Sequence, residues 1–127
     1  MKKQTTIGFS TGSLYKTKVK PISKECFELI ANTGSKAIEL NCIDPNNLYE
    51  LLKIKDNDLK KFDYISLHAP AIKMFYQDNQ KTKKVLDLIS EINKRLDLKC
   101  IIIHPDRVID WKIFLKYKLP LAIENMD

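Results

Sequence analysis

Cysteine is scarce in this sequence. Cys26, Cys42 and Cys100 are scattered, and none belongs to a C-x-x-C pair. That spacing argues against a disulfide framework and against a structural zinc site. Cys26 falls in a helical pattern and Cys100 opens an apolar run, so both read as small core residues, and the expected compartment is a reducing cytoplasm. No apolar run approaches the roughly 18 residues that a membrane span needs, so no membrane partner is expected. The opening MKKQTTIGFS has two lysines but no apolar segment behind them, and is not expected to act as a signal peptide. Arginine-rich runs are missing as well. Lys and Arg number 22 against 16 Asp and Glu, a net charge of +6, but the lysines are spread through KTKVK, DLKKF, KTKKV and WKIFLKYK between apolar residues. They read as solvated helix faces rather than a nucleic-acid surface. The first strand-to-helix turn, GFSTGSLYK, has neither G-x-G-x-x-G nor a G-x-x-x-x-G-K-[ST] loop, so nucleotide binding has little support.

What is present is ordinary globular material: 127 residues, 44% hydrophobic and 30% charged, enough for one domain with a real core. Short β-rich runs alternate with helical periodicity. Strands are expected at Ile7–Ser10, Ala37–Asn41, Tyr64–His68, Cys100–His104 and 121–124, the last read as a buried strand with Glu124 at its exit. Between them, Ser23 is placed to cap a helix with Cys26, Phe27, Ile30 and Ala31 on one face and Gly34 as its stop. A short helix is expected around Leu48, Leu51 and Leu52. The longest should present Val85, Leu88, Ile89, Ile92 and Leu96, and about three turns should surround Trp111, Phe114 and Leu115.

Strands separated by helices predict an α/β fold with a parallel sheet. Two architectures share that signature. An open doubly wound sheet fits the length but leaves the final strand without a following helix. A parallel (β/α) barrel needs roughly 200 residues or more, so this chain would hold about five of its eight strands.

Polar residues concentrate where such strands end: Ser10, Glu39 with Asn41, His68, His104, and Glu124 with Asn125. His68 and His104 are the only histidines, each closing an apolar strand and followed within two residues by proline (SLHAP, IIHPD). Adjacent strands lie about 4.8 Å apart, so in a barrel of sequential strand order His68, His104 and Glu124 share one rim. Two imidazoles and a carboxylate form a normal ligand set for zinc or a related divalent metal. Glu39 lies inside the run AIEL, where an ionised carboxylate is costly unless it faces a polar cavity or pairs with a nearby lysine.

SLHAP, IIIHPD and LAIENMD resemble the xylose isomerase-like TIM barrels, a superfamily that joins sugar and sugar-phosphate isomerases and epimerases to endonuclease IV. The resemblance implies that residues 1–127 are the N-terminal portion of one such barrel, with strands six to eight and their ligands lying beyond Asp127. It implies that Glu124 binds a divalent metal (zinc or manganese) in a site incomplete in this chain. His68 and His104 match positions that are metal ligands in the endonuclease branch and pocket-lining residues in many isomerases. The expected activity is a metal-dependent sugar or sugar-phosphate isomerase or epimerase. In it Glu124 and Glu39 carry the chemistry, and Asn41, His68, His104 and Asn125 contact substrate. The alternative is a zinc phosphodiesterase acting on abasic DNA. Two departures count against it: IGFSTGS lacks the histidine usual in that branch, and Ala71 stands where it usually has a tyrosine. A third reading is a non-catalytic truncated barrel. Five strands would leave two open sheet edges, through which self-association is expected.

Overall fold

The computed structural model describes residues 5–126. The first four residues of the opening read above as no signal peptide, and the final Asp127, lie outside that range. Five strands, β1 (Gly8–Ser10), β2 (Ala37–Asn41), β3 (Tyr64–His68), β4 (Cys100–Ile103) and β5 (Leu121–Ile123), form one sheet. Every neighbouring pair is parallel, and the spatial order is the chain order, β1-β2-β3-β4-β5. A doubly wound sheet reverses direction at a switch point, whereas a barrel adds each strand beside the last. The sequential order therefore selects the barrel over the doubly wound alternative. Among the described residues β1 and β5 have no second strand partner.

Three α-helices fill the crossovers: α1 (Lys24–Asn32), α2 (Asn46–Lys53) and α3 (Gln80–Leu96). Local chemistry sets their ends. Ser23 Oγ accepts from the Cys26 N–H at 3.2 Å, and Gly34 follows α1 with φ 83°. Asn79 Oδ1 accepts from the Thr82 N–H at 2.9 Å, satisfying one of the donors a helix start leaves unpaired. Asp97 closes α3 in the left-handed conformation, which a short polar side chain tolerates. The buried face of α3 is Thr82, Val85, Leu86, Ile89 and Ile92; Leu88 and Leu96 pack only partly against the core. No helix among the described residues is long and apolar enough to cross a membrane.

All this apolar cover lies on one side of the sheet. Side chains alternate across a strand. Ile38, Leu40, Leu67, Ile101 and Ile103 are buried with Phe27, Leu48, Leu51 and Ile89 in a single core. The intervening positions face the other way, and the register sets them side by side: Ser10 against Glu39 against Ser66, and Asn41 against His68. This second face is the interior face of a barrel wall. Gly8 belongs to it at a point of close approach, since a Cβ there would stand 2.7 Å from that of Ala37.

Three local expectations are corrected. The segment around Trp111, Phe114 and Leu115 is a six-residue 3-10 helix, Trp111–Lys116, not three α-helical turns, and Leu115 is exposed. Its apolar residues Trp111, Phe114 and Tyr117 recur every three positions, which suits three residues per turn; the Trp111 and Phe114 rings lie 5.8 Å apart. Strand β4 ends at Ile103, because Pro105 opens a 3-10 turn directly after His104. Strand β5 is not buried: Leu121 and Ala122 are half-buried and Ile123 is exposed, and among the described residues it pairs only with β4.

One long-range tie holds the α2 end. The Arg95 guanidinium on α3 donates to the carbonyls of Leu52 (3.1 Å), Leu51 (3.3 Å) and Ile54 (2.7 Å) at the end of α2, where the Leu51 carbonyl also accepts from the Ile54 N–H. Arg95→Met keeps the apolar stem and removes the donors. It is expected to cost about 1–3 kcal/mol in a urea denaturation series; an unchanged midpoint would show that water replaces the guanidinium without loss.

Candidate metal centre

The two histidines and Glu124 meet at the C-terminal rim. His68 is the last residue of β3, and His104 follows β4. Ile102 pairs with Ala122, so Glu124, two residues further on, stands beside His104; its N–H donates to the Ile103 carbonyl at 3.0 Å. The two Nε2 atoms are 2.9 Å apart, and Glu124 Oε2 lies 2.6 Å from His104 Nε2 and 3.4 Å from His68 Nε2. The rings meet edge to face, with centroids 4.7 Å apart. One ligand atom from each residue falls within 4.8 Å of the others.

The electrostatics of this point are unusual. His68 Nδ1 lies 3.1 Å from the Ala69 carbonyl, which can only accept, so Nδ1 carries the hydrogen and Nε2 presents a lone pair. That lone pair, the facing His104 nitrogen and a carboxylate oxygen crowd one small volume. Glu124 Oε2 is buried there without a hydrogen bond; its 2.6 Å contact to His104 has the distance but not the direction of one. Converging acceptors with an orphaned carboxylate oxygen call for a cation at their centre, and this donor set fits a divalent metal.

The other residues selected from sequence sit around this point rather than in it. Asn41 is the strand neighbour of His68, but its Oδ1 accepts from the Ile43 N–H at 3.2 Å. Asn125 is exposed beside Glu124. Glu39 lies two residues before Asn41, about 6.6 Å deeper along the strand. With Ser10, Ser66, Phe9 and Tyr64 it lines a cavity of about 330 Å³ on the interior face. Cys100, expected in the core, is only half-buried and faces the same interior. Burial, and then the charge of Glu39, raise its thiol pKa; in the sheet register Ser66 stands between Cys100 and Glu39. Sequence reading missed Cys100 and Ser66 at this face, and Asp106 beside His104. Alternation along β3 and β4 points to the first two, and Asp106 is the third residue of the quoted HPD.

No family model and no curated protein matches the chain. Among solved structures it is similar to a D-tagatose 3-epimerase-like protein, with TM-score 0.55 and 20% identity, over 94% of this chain and 53% of that one. The fold is that of a TIM barrel, a parallel (β/α) wall. Five consecutive strands of such a barrel are present, and the chain spans about half the length (53%) of the structure it matches.

Zinc is expected to raise the melting temperature of the protein, because a ligand at a hundredfold excess over its Kd stabilises the fold by about 2.7 kcal/mol. A chelator should reverse the shift, and His104→Ala with Glu124→Gln should abolish it. A melting temperature indifferent to zinc would show that the three groups share a proton instead.

Proposed function

We propose that the protein is a divalent-metal-dependent isomerase or epimerase acting on a sugar or sugar phosphate, with zinc or manganese as the metal. The observation that supports this reading is the convergence of His68, His104 and Glu124 at the C-terminal rim of parallel strands, where (β/α) barrels carry their chemistry. The likeness to a D-tagatose 3-epimerase-like protein supports the same class. His68 Nε2, His104 Nε2 and a Glu124 oxygen would hold the ion. An ion bound there supplies positive charge against the negative charge that develops on sugar oxygens when a neighbouring carbon loses its proton.

The chain's own residues supply the rest. Glu39 is the carboxylate proposed to take and return the carbon-bound proton, and its cavity is lined by the Ser10 and Ser66 hydroxyls, suited to sugar hydroxyl groups. Tyr64 at the cavity wall offers apolar surface to the C–H face of a sugar and limits water. Asn41 and Asn125 flank the rim as amide donors and acceptors for substrate. The open edges of β1 and β5 offer places for self-association, which would extend the rim with groups from another chain.

The test is proton exchange. With manganese or zinc in heavy water, the protein should replace the hydrogen next to the carbonyl of a ketose or ketose phosphate, followed by proton NMR. Glu39→Gln should slow this by about 10²–10⁴-fold with metal binding retained. Incision of abasic DNA without sugar exchange would select the phosphodiesterase reading, and neither activity would leave a non-catalytic barrel.

A further inference from the structure

The two histidines of the rim are oriented by different means. The His68 ring is fixed by its own chain, through the Ala69 carbonyl 3.1 Å from Nδ1. The His104 Nδ1 has no such carbonyl. It faces Asp106 Oδ1 at 3.9 Å, long for a direct hydrogen bond and about 1 Å from becoming one. Asp106 in turn forms an ion pair with Arg107, whose Nε is 3.3 Å from Oδ2 without the direction of a hydrogen bond. The Arg107 guanidinium stacks over the Phe75 ring at 5.3 Å. The backbone ties the same two loops together: the Tyr76 N–H donates to the Arg107 carbonyl at 2.8 Å, and the Ile109 N–H donates to the Tyr76 carbonyl at 2.9 Å. The loop after β3 thus braces the loop after β4, and with it the carboxylate beside His104.

We propose that Asp106, held by Arg107 and Phe75, is a positioning residue that keeps the proton of His104 on Nδ1 so that Nε2 is bare toward the metal point. The inference rests on the metal reading of the rim. The physical reason is a competition for one proton. Glu124 Oε2, 2.6 Å from His104 Nε2, attracts the proton to the wrong nitrogen for binding a cation. Asp106 is the only carboxylate the structure places near the opposite nitrogen, among the described residues. Its negative charge there stabilises the N–H at Nδ1 and opposes a lone pair in that position. Once a cation occupies the rim it takes up the Glu124 charge, and the preference set by Asp106 prevails. A carboxylate paired to the far nitrogen of a ligating histidine also raises the basicity of the ligating one.

The test compares zinc affinity, measured by competition with a chromophoric chelator, across three proteins. Asp106→Asn keeps the shape and turn-forming capacity of the residue and removes the charge; it should weaken zinc binding about 10–100-fold. Asp106→Glu restores the carboxylate on a longer arm and should recover most of the affinity, which a role in the turn alone would not predict. Nitrogen-15 NMR of the zinc-loaded protein should show a protected His104 Nδ1–H in the wild type and its loss of protection in Asp106→Asn. Wild-type affinity in Asp106→Asn, or equal weakening in Asp106→Glu, would overturn the proposal. Failure of the wild type to bind zinc would instead overturn the metal reading, and that result is seen before any variant is compared.

Discussion

A strand presents its side chains alternately to two faces, and here the helices cover only one of them. Ile38, Leu40, Leu67, Ile101 and Ile103 pack under the helices, and that packing orients everything else. Once those residues are committed to the core, Glu39, Asn41, Ser66 and His68 must point to the opposite side, in register with one another. A slip of one residue would move the polar set into the core and the apolar set into the interior, so burial fixes the geometry of the site. The polar face and the rim centre are consequences of hydrophobic burial elsewhere.

The rim itself is a compact electrostatic problem. Nearby nitrogens and a buried carboxylate oxygen share a point that offers them no donor beyond what the imidazoles carry. Such an arrangement is tolerated when a proton or a cation neutralises it, and it costs several kcal/mol when left bare. The Ala69 carbonyl commits the His68 proton to the outer nitrogen, which leaves its inner nitrogen free for a cation. Glu39 lies deeper, at the cavity wall with two serine hydroxyls, separated from the rim by one pleat of the strand. In the proposed reaction, ligation and proton transfer would fall to two levels of one wall.

Loop structure supplies the precision. Tyr76 is buried, donates its hydroxyl to the Pro70 carbonyl at 2.8 Å, and forms a parallel bridge with Val108. Its ring packs against Phe114 at 5.5 Å, which ties the loop after β3 to the 3-10 helix that precedes β5. Burial pushes the phenol pKa above its ordinary value, so it remains a neutral donor throughout the physiological range. The segments that follow β3 and β4 are thus connected to one another above the sheet.

The sequence by itself determined the five strands, three of the helices, and the candidacy of His68, His104 and Glu124, because each rests on local signals. Apolar runs end at polar residues, Ser23 and Asn79 cap helices, and Pro70 and Pro105 stop strands within a few residues of the signal. Spacing failed at Trp111–Lys116, where a period of three passes for one of 3.6 in so short a segment. It failed at β5, whose apolar residues are half-exposed because burial depends on neighbours that local pattern does not name. Only the tertiary structure chose the barrel over the doubly wound sheet, since strand order is a relation between distant segments. It alone set the distances among His68, His104 and Glu124, because side-chain convergence depends on register across the whole fold.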